Sequence, residues 1–335
     1  MKGAHQPAAK SSRWLLTSIR WILSLALLVL LIHFFPLATL RAAIGKIPPA
    51  RFFWILVFYL CAHAFGVLKW RMIVNTAGAQ LDLRTSAQCY FGGLFGTLFL
   101  PSIVGGDVVR FAVGLRQSPR PAAVLAGNIA DRFLDVAAQA GLVVLGLILL
   151  PGSLPIVLRG KAVAYLLLLA ALAAIFGLTA YYFYRMAITR GSWSLRKRLA
   201  RLRQALRTVK SRPLKLVAGW ITGTLIQFTF LVLTALLAIS CGLTLPLRVW
   251  LFAWPLAKLA AVLPLTQGGM GVREAALVAL LAPFGAPGAL VLASGLVWEG
   301  VIVAGGLISG LLTLILRQSA RSNGGDSNGK GEGNE

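Results

Sequence analysis

Acidic residues are scarce in this chain: 9 Asp and Glu stand against 33 Lys and Arg in 335 residues. Charged residues together make up 13%, where soluble domains carry about 25%, so an ordinary water-facing surface is excluded. Cysteine is limited to Cys61, Cys89 and Cys241, all in or beside apolar segments and without CxxC spacing. That excludes a disulfide framework and a zinc site. No Walker string is present, so the phosphate-cradling loop of an ATPase is missing. No DxD, HxxxH or Ser/His pairing appears, and metal-assisted or nucleophilic enzymes need such groupings near an aqueous face. No metal and no cofactor are expected.

What fills the chain is apolar: 58% of residues are hydrophobic and the mean hydropathy is +0.81. An all-α, polytopic membrane protein follows. A basic excess in a soluble domain points to nucleic acid. Here the bases flank apolar runs and fill one loop, as membrane topology requires, and no nucleic-acid partner is expected. Apolar runs of about 20 residues mark spans, near 15–36, 52–68, 121–150, 162–184, 216–240 and 288–316. Segment 1–14 reads as a cytoplasmic N-terminus, 15–316 as one transmembrane domain and 317–335 as a disordered polar tail. The run at 15–36 is too long for a signal-peptide core and reads as an anchor.

Two further apolar regions, 86–118 and 247–285, each carry one copy of Leu-Pro-x-x-x-Gly-Gly-x-x-x-Arg. The copies are Leu100-Pro101…Gly105-Gly106…Arg110 and Leu263-Pro264…Gly268-Gly269…Arg273. Proline and paired glycine interrupt a helix, and arginine within a bilayer is costly, so neither region is expected to be a single straight helix. Gln267 and Gly271 interrupt the second copy further. The loop 185–215 holds eleven bases and no acid, which places it in the cytoplasm. Trp193, Leu195, Leu199, Leu202 and Leu206 recur within it at helical spacing, predicting an amphipathic helix on an anionic lipid surface. The bases at both chain ends also read as cytoplasmic, whereas Arg41, Lys46 and Arg51 run against the rule. With both ends inside, each broken region crosses an even number of times, as a re-entrant hairpin or a pair of short helices. The two copies then lie in opposite orientations, an inverted repeat of the secondary-transporter kind.

Of the nine acids, Asp107, Asp131, Asp135, Glu274 and Glu299 fall in or beside apolar segments. Each costs roughly 2.5–3.5 kcal/mol at the membrane centre unless paired or wetted. Asp131 and Asp135 share a helix face one turn apart, and a cation such as Arg132, Arg110 or Arg273 is expected between them. Asp107 and Arg110 are spaced to pair locally, while Arg273 and Glu274 are adjacent and expected to point to different sides. Two uses remain open for these groups. The Asp–Arg pairs either lock helices together or serve a site. The glycine pairs either allow close helix packing or open half-helices whose free N–H groups, with an arginine in the next turn, hold an anion. Lys258 and Arg20 read as snorkelling residues, and His33 and His63 as packing or interface residues.

The strings LFLPSIVGGDVVRFAVGL, NIADRFLD and LPLTQGGMGVREAALVALL resemble the lysylphosphatidylglycerol synthase transmembrane, or flippase-like domain, family. The resemblance covers roughly 15–316. It implies a membrane domain similar to that of the multiple peptide resistance factor, which moves aminoacylated phosphatidylglycerol between leaflets. It marks Pro101, Gly105, Gly106, Asp107, Arg110, Asp131 and Arg132 in the first half, and Pro264, Gly268, Gly269, Gly271, Arg273 and Glu274 in the second. Asp135, Gln267 and Glu299 join these candidates from the residue reading. The chain ends in a short polar tail, and aminoacyl-lipid synthesis is not expected of it. The expected role is translocation or binding of an anionic or zwitterionic lipid, or lipid-linked intermediate, in a bacterial inner membrane. Alternatives are a membrane-embedded transferase acting on a lipid-linked substrate and a non-transporting scaffold for a lipid pathway. Membrane lipids are the expected partners, and a homo-oligomer is left open.

Overall fold

The structure, a computed structural model, describes residues 36–100, 105–150, 192–261, 266 and 268–325, with Val29, His33, Tyr182, Arg185 and Met186. Regular structure among the described residues is entirely helical. In chain order it comprises α1 (Leu37–Gly45), α2 (Pro49–Thr76), α3 (Leu83–Thr97), α4 (Gly105–Gln117) and α5 (Pro121–Leu149). These are followed by α6 (Trp193–Lys210), α7 (Pro213–Ser240), α8 (Leu247–Ala260), α9 (Val272–Leu281) and α10 (Gly288–Gly325). Helices α2, α5, α7 and α10 are long and apolar enough to cross a membrane. Almost all of the expected spans at 15–36 and 162–184 lies outside the described residues. Helix α10 runs to Gly325, into the stretch read as a disordered tail.

Local chemistry explains where these helices start and stop. Proline occupies the first turn of α2, α5 and α7, where its fixed φ suits the helix and its missing N–H has no intrahelical use. Asp82 and Ser192 cap α3 and α6 by accepting the backbone N–H of Thr85 and Leu195. Gly78 and Gly242 close α2 and α7 with φ of 99° and 91°. After each, the chain folds back through a backbone bond, Ala79 N to Val74 O (3.3 Å) and Leu243 N to Ala238 O (2.9 Å). Both apolar regions carrying the Leu-Pro/Gly-Gly string divide into two helices, α3 and α4 in one and α8 and α9 in the other.

Two runs of four helices therefore follow the same order, long, short, short and long. Helices α2 and α7 each have 28 residues, and α3 and α8 begin equally far beyond them, at Leu83 and Leu247. Packing is reciprocal between the runs. Helix α3 lies against α10, while α8 lies against α5; α2 and α7 meet each other. The largest buried cluster is built where these elements converge, with Trp250, Phe252 and Trp254 of α8 fully or almost fully buried beside Leu142 and Val143 of α5 and Leu231 and Leu237 of α7. Helix α6 is amphipathic as expected, but its two ends differ. Leu202, Ala205, Leu206 and Val209 dock on the cluster formed by α2, α3 and α5, leaving Trp193 and Leu195 exposed near the other end. Part of the apolar stripe read as lipid-facing thus faces protein.

Candidate functional site

Lys69 of α2 is the cation that neutralises the aspartates of α5, and the sequence reading passed over it. Its Nζ lies 2.8 Å from Asp131 Oδ1 and also contacts Asp135 Oδ1, with the lysine side chain only 4% exposed. The missing signal was tertiary: Lys69 sits near the end of an apolar run, where sequence suggests snorkelling. Arg132, on the same helix as the aspartates, reaches Asp107 Oδ2 at 3.0 Å and Asp135 Oδ2 at 3.3 Å. Its side chain is 40% exposed, so it covers the cluster from outside. Three bases, Lys69, Arg110 and Arg132, thus face three acids, Asp107, Asp131 and Asp135.

Arg110 is held differently. Its Nη1 stands 3.7 Å from both Asp107 Oδ1 and Asp131 Oδ2, beyond hydrogen-bonding distance. Its guanidinium lies over the Tyr90 ring at 4.1 Å and near Trp70 at 5.8 Å. Nε and Nη1 are buried without a hydrogen-bond partner. A buried guanidinium with unused donors is costly unless something else satisfies it.

The second arginine is locked. Arg273 Nη2 donates to Glu274 Oε1 at 2.8 Å and to Glu299 Oε1 at 2.7 Å, and its Nε donates to Glu274 Oε1 at 3.2 Å. The expectation that Arg273 and Glu274 point apart is therefore corrected: both turn inward at the start of α9, where Glu274 is 0% exposed. Glu274 also accepts the Gly271 N–H through Oε2 at 2.8 Å. Carboxylate capping of a helix start is favourable, and it occupies that donor. Each half thus brings an arginine from a short helix to an acid on its long helix, Arg110 to Asp131 and Arg273 to Glu299.

The glycines do more than one job. A Cβ on Gly106 would sit 2.6 Å from the Gly93 carbonyl oxygen, so α3 and α4 cross there at a distance only glycine permits. Gly268, Gly269 and Gly271 have φ of 61°, 80° and 83°, a conformation that favours glycine, and they form the turn into α9. Pro101, Pro264 and Gln267 lie outside the described residues. No group of three or more His, Cys, Asp or Glu residues suited to a metal occurs among the described residues.

Between the two clusters lies an aromatic core. His63 Nδ1 meets Tyr90 Oη at 3.2 Å, and the His63 ring packs on Tyr59 and Phe230, with centroids 4.4 and 4.9 Å away. Trp298, the neighbour of Glu299, closes on Tyr59 and Phe230. Lys258 does not simply snorkel: its Nζ donates to Gln227 Oε1 at 2.7 Å and lies 5.2 and 5.0 Å from the rings of Phe230 and Trp254. Here fold and site define a class, a multi-pass helical membrane protein with paired charges held inside its bundle.

The chain belongs to the family described as the lysylphosphatidylglycerol synthase TM region, which it matches over residues 19–310. No curated protein and no solved structure matches it.

Proposed function

We propose that this protein binds and translocates a lipid with an anionic or zwitterionic headgroup across a bacterial inner membrane. The observation that carries the reading is Arg110: 5% exposed, stacked on Tyr90, with Nε and Nη1 unbonded. A phosphate or carboxylate oxygen would satisfy those donors. The acyl chains stay in the bilayer while the headgroup moves through the bundle.

The two four-helix runs, 49–149 and 213–325, act as inverted halves, each with a helix pair that enters and leaves the membrane on one side. The matched helix lengths, the paired turns at Gly78 and Gly242 and the reciprocal packing of α3 on α10 and α8 on α5 support that reading. Both chain ends and the basic helix α6 are cytoplasmic. The protein works as a carrier rather than as a synthase.

Purified protein in liposomes should move an acyl-labelled phosphatidylglycerol between leaflets, read as the fraction of label accessible to dithionite over time. Arg110→Ala and Arg273→Ala should abolish that movement while expression persists, and Arg273→Ala, which strips a buried partner from Glu274 and Glu299, should also lower the Tm. Transport retained in both variants refutes the headgroup site. Mass spectrometry of lipid co-purifying with the native protein and with these variants identifies the cargo.

A further inference from the structure

Lys258 is the one base among the buried charges described above that touches no carboxylate. Lys69, Arg110, Arg132 and Arg273 each lie within 4.0 Å of an acid. The Lys258 ammonium has instead the Gln227 carbonyl oxygen and two aromatic faces. Through Phe230 and Trp254 it borders the aromatic core that lies between the two clusters. An ammonium in that position has charge and donors to offer an incoming anion.

His63 lies between the two cations, bonded to the Tyr90 that carries Arg110 and packed on the Phe230 that faces Lys258. The side chain is 8% exposed, and its Nε2 is buried with no hydrogen-bond partner. When Tyr90 donates to Nδ1, the ring proton sits on Nε2, leaving a donor without an acceptor. The contacts are continuous. Arg110 lies over Tyr90, Tyr90 bonds His63, His63 packs on Phe230, and Phe230 faces Lys258. Two loosely held cations are thus joined by a line of rings with one unused donor midway.

The matched helices make the arrangement more pointed. His63 stands at the position in α2 that Gln227 holds in α7, and Tyr90 at the position in α3 that Trp254 holds in α8. At the position of Lys258, α3 carries Leu94. The ammonium therefore belongs to the second half alone, directly beyond the ring line from Arg110.

We propose that Lys258 is a second anion site, reached from Arg110 by way of His63 Nε2, which receives the phosphate of an anionic lipid headgroup partway across the membrane. This rests on the headgroup reading of Arg110 and adds a residue that sets charge preference. Lys258→Met removes the one base of the set named here that touches no carboxylate and leaves five acids facing four bases, an arrangement that repels an anion. A zwitterionic headgroup, neutral overall, is affected less.

The test uses the full-length protein in liposomes with two acyl-labelled probes, phosphatidylglycerol and phosphatidylethanolamine. Loss of one charge-assisted hydrogen bond predicts that Lys258→Met slows phosphatidylglycerol by about tenfold or more, with a smaller effect on phosphatidylethanolamine. Lys258→Arg should restore the anionic probe. Lys258→Gln keeps a donor for Gln227 and carries the same prediction where the methionine variant folds poorly. His63→Phe, which keeps a ring and loses the donor, should slow the anionic probe, and His63→Gln should recover part of the rate. If Arg110→Ala stops movement while Lys258→Met and Lys258→Gln behave as wild type, the second site is wrong and the Arg110 reading stands. Equal slowing of both probes also overturns it, because Lys258 then supports structure rather than charge preference. A wild-type protein that moves neither probe overturns both readings.

Discussion

Replacing Lys69 with methionine tests whether the first charge cluster holds the bundle together. The substitution removes the 2.8 Å contact to Asp131 and the contact to Asp135, and it fits an unbranched apolar chain into the vacated space. Asp131 would then be left with Arg110 and Arg132, both at 3.7 Å, and Asp135 with Arg132 at 3.3 Å. Breaking a buried ion pair by removing one partner costs about 3–5 kcal/mol, because the other charge stays behind without compensation. At about 2 °C per kcal/mol for a large domain, the apparent Tm should fall on the order of 6–10 °C. Tryptophan fluorescence on heating in detergent reports it. Lys69→Met combined with Asp131→Asn restores neutrality to the cluster and should recover at least half of the loss. A single variant within about 1 kcal/mol of wild type, or a double variant no more stable than the single, refutes the role given to Lys69.

Two further outcomes check the architecture. A Cβ on Gly127 would stand 2.5 Å from Val74 Cα, backbone against backbone, so Gly127→Ala should force α2 and α5 apart and cost about 1–3 kcal/mol. A melt indistinguishable from wild type would mean that the helices do not cross there. In a variant with Cys61, Cys89 and Cys241 replaced by alanine, a cysteine at the Arg201 position of α6 should react with an impermeant maleimide only in inside-out vesicles. Labelling in intact spheroplasts would invert the proposed topology.

The sequence reading recovered what hydropathy and helix breaking dictate, and it missed what depends on which faces meet. Twenty-residue apolar runs and the Leu-Pro/Gly-Gly interruptions led to the four long helices and to the division of 86–118 and 247–285 into pairs. The demand for a cation beside Asp131 and Asp135 was also sound, because two carboxylates one turn apart need one. Of the three arginines named for it, Arg132 and Arg110 do face these aspartates at 3.3–3.7 Å and Arg273 pairs elsewhere, while the nearest cation, Lys69, lies on another helix and nothing local announces its contact. Arg273 and Glu274 were misread for a related reason. Adjacent residues on an ideal helix diverge, but at the first turn Glu274 reaches back to cap Gly271 and carries its second oxygen to Arg273. His63 packs as expected, on Tyr59 and Phe230, whereas Lys258 departs from a snorkelling residue because Gln227, on another helix, accepts its hydrogen bond.

The two halves share a helical plan and differ in how their arginines are held. Arg110 keeps unused donors at 3.7 Å from its acids, whereas Arg273 shares one nitrogen between Glu274 and Glu299 at 2.8 and 2.7 Å. If halves of opposite orientation alternate in exposing a headgroup, they must exchange these states. Arg273 then has to release at least one carboxylate, and a bare buried pair does not separate cheaply. Compensation has to arrive at the same moment, either as an anion at Arg273 or as a proton at Glu299, the partner that makes no backbone cap. An anion arriving from Lys258 would supply the first. Movement of the headgroup and release of Arg273 would then be a single event, and a carrier built this way would change state more readily when loaded than when empty.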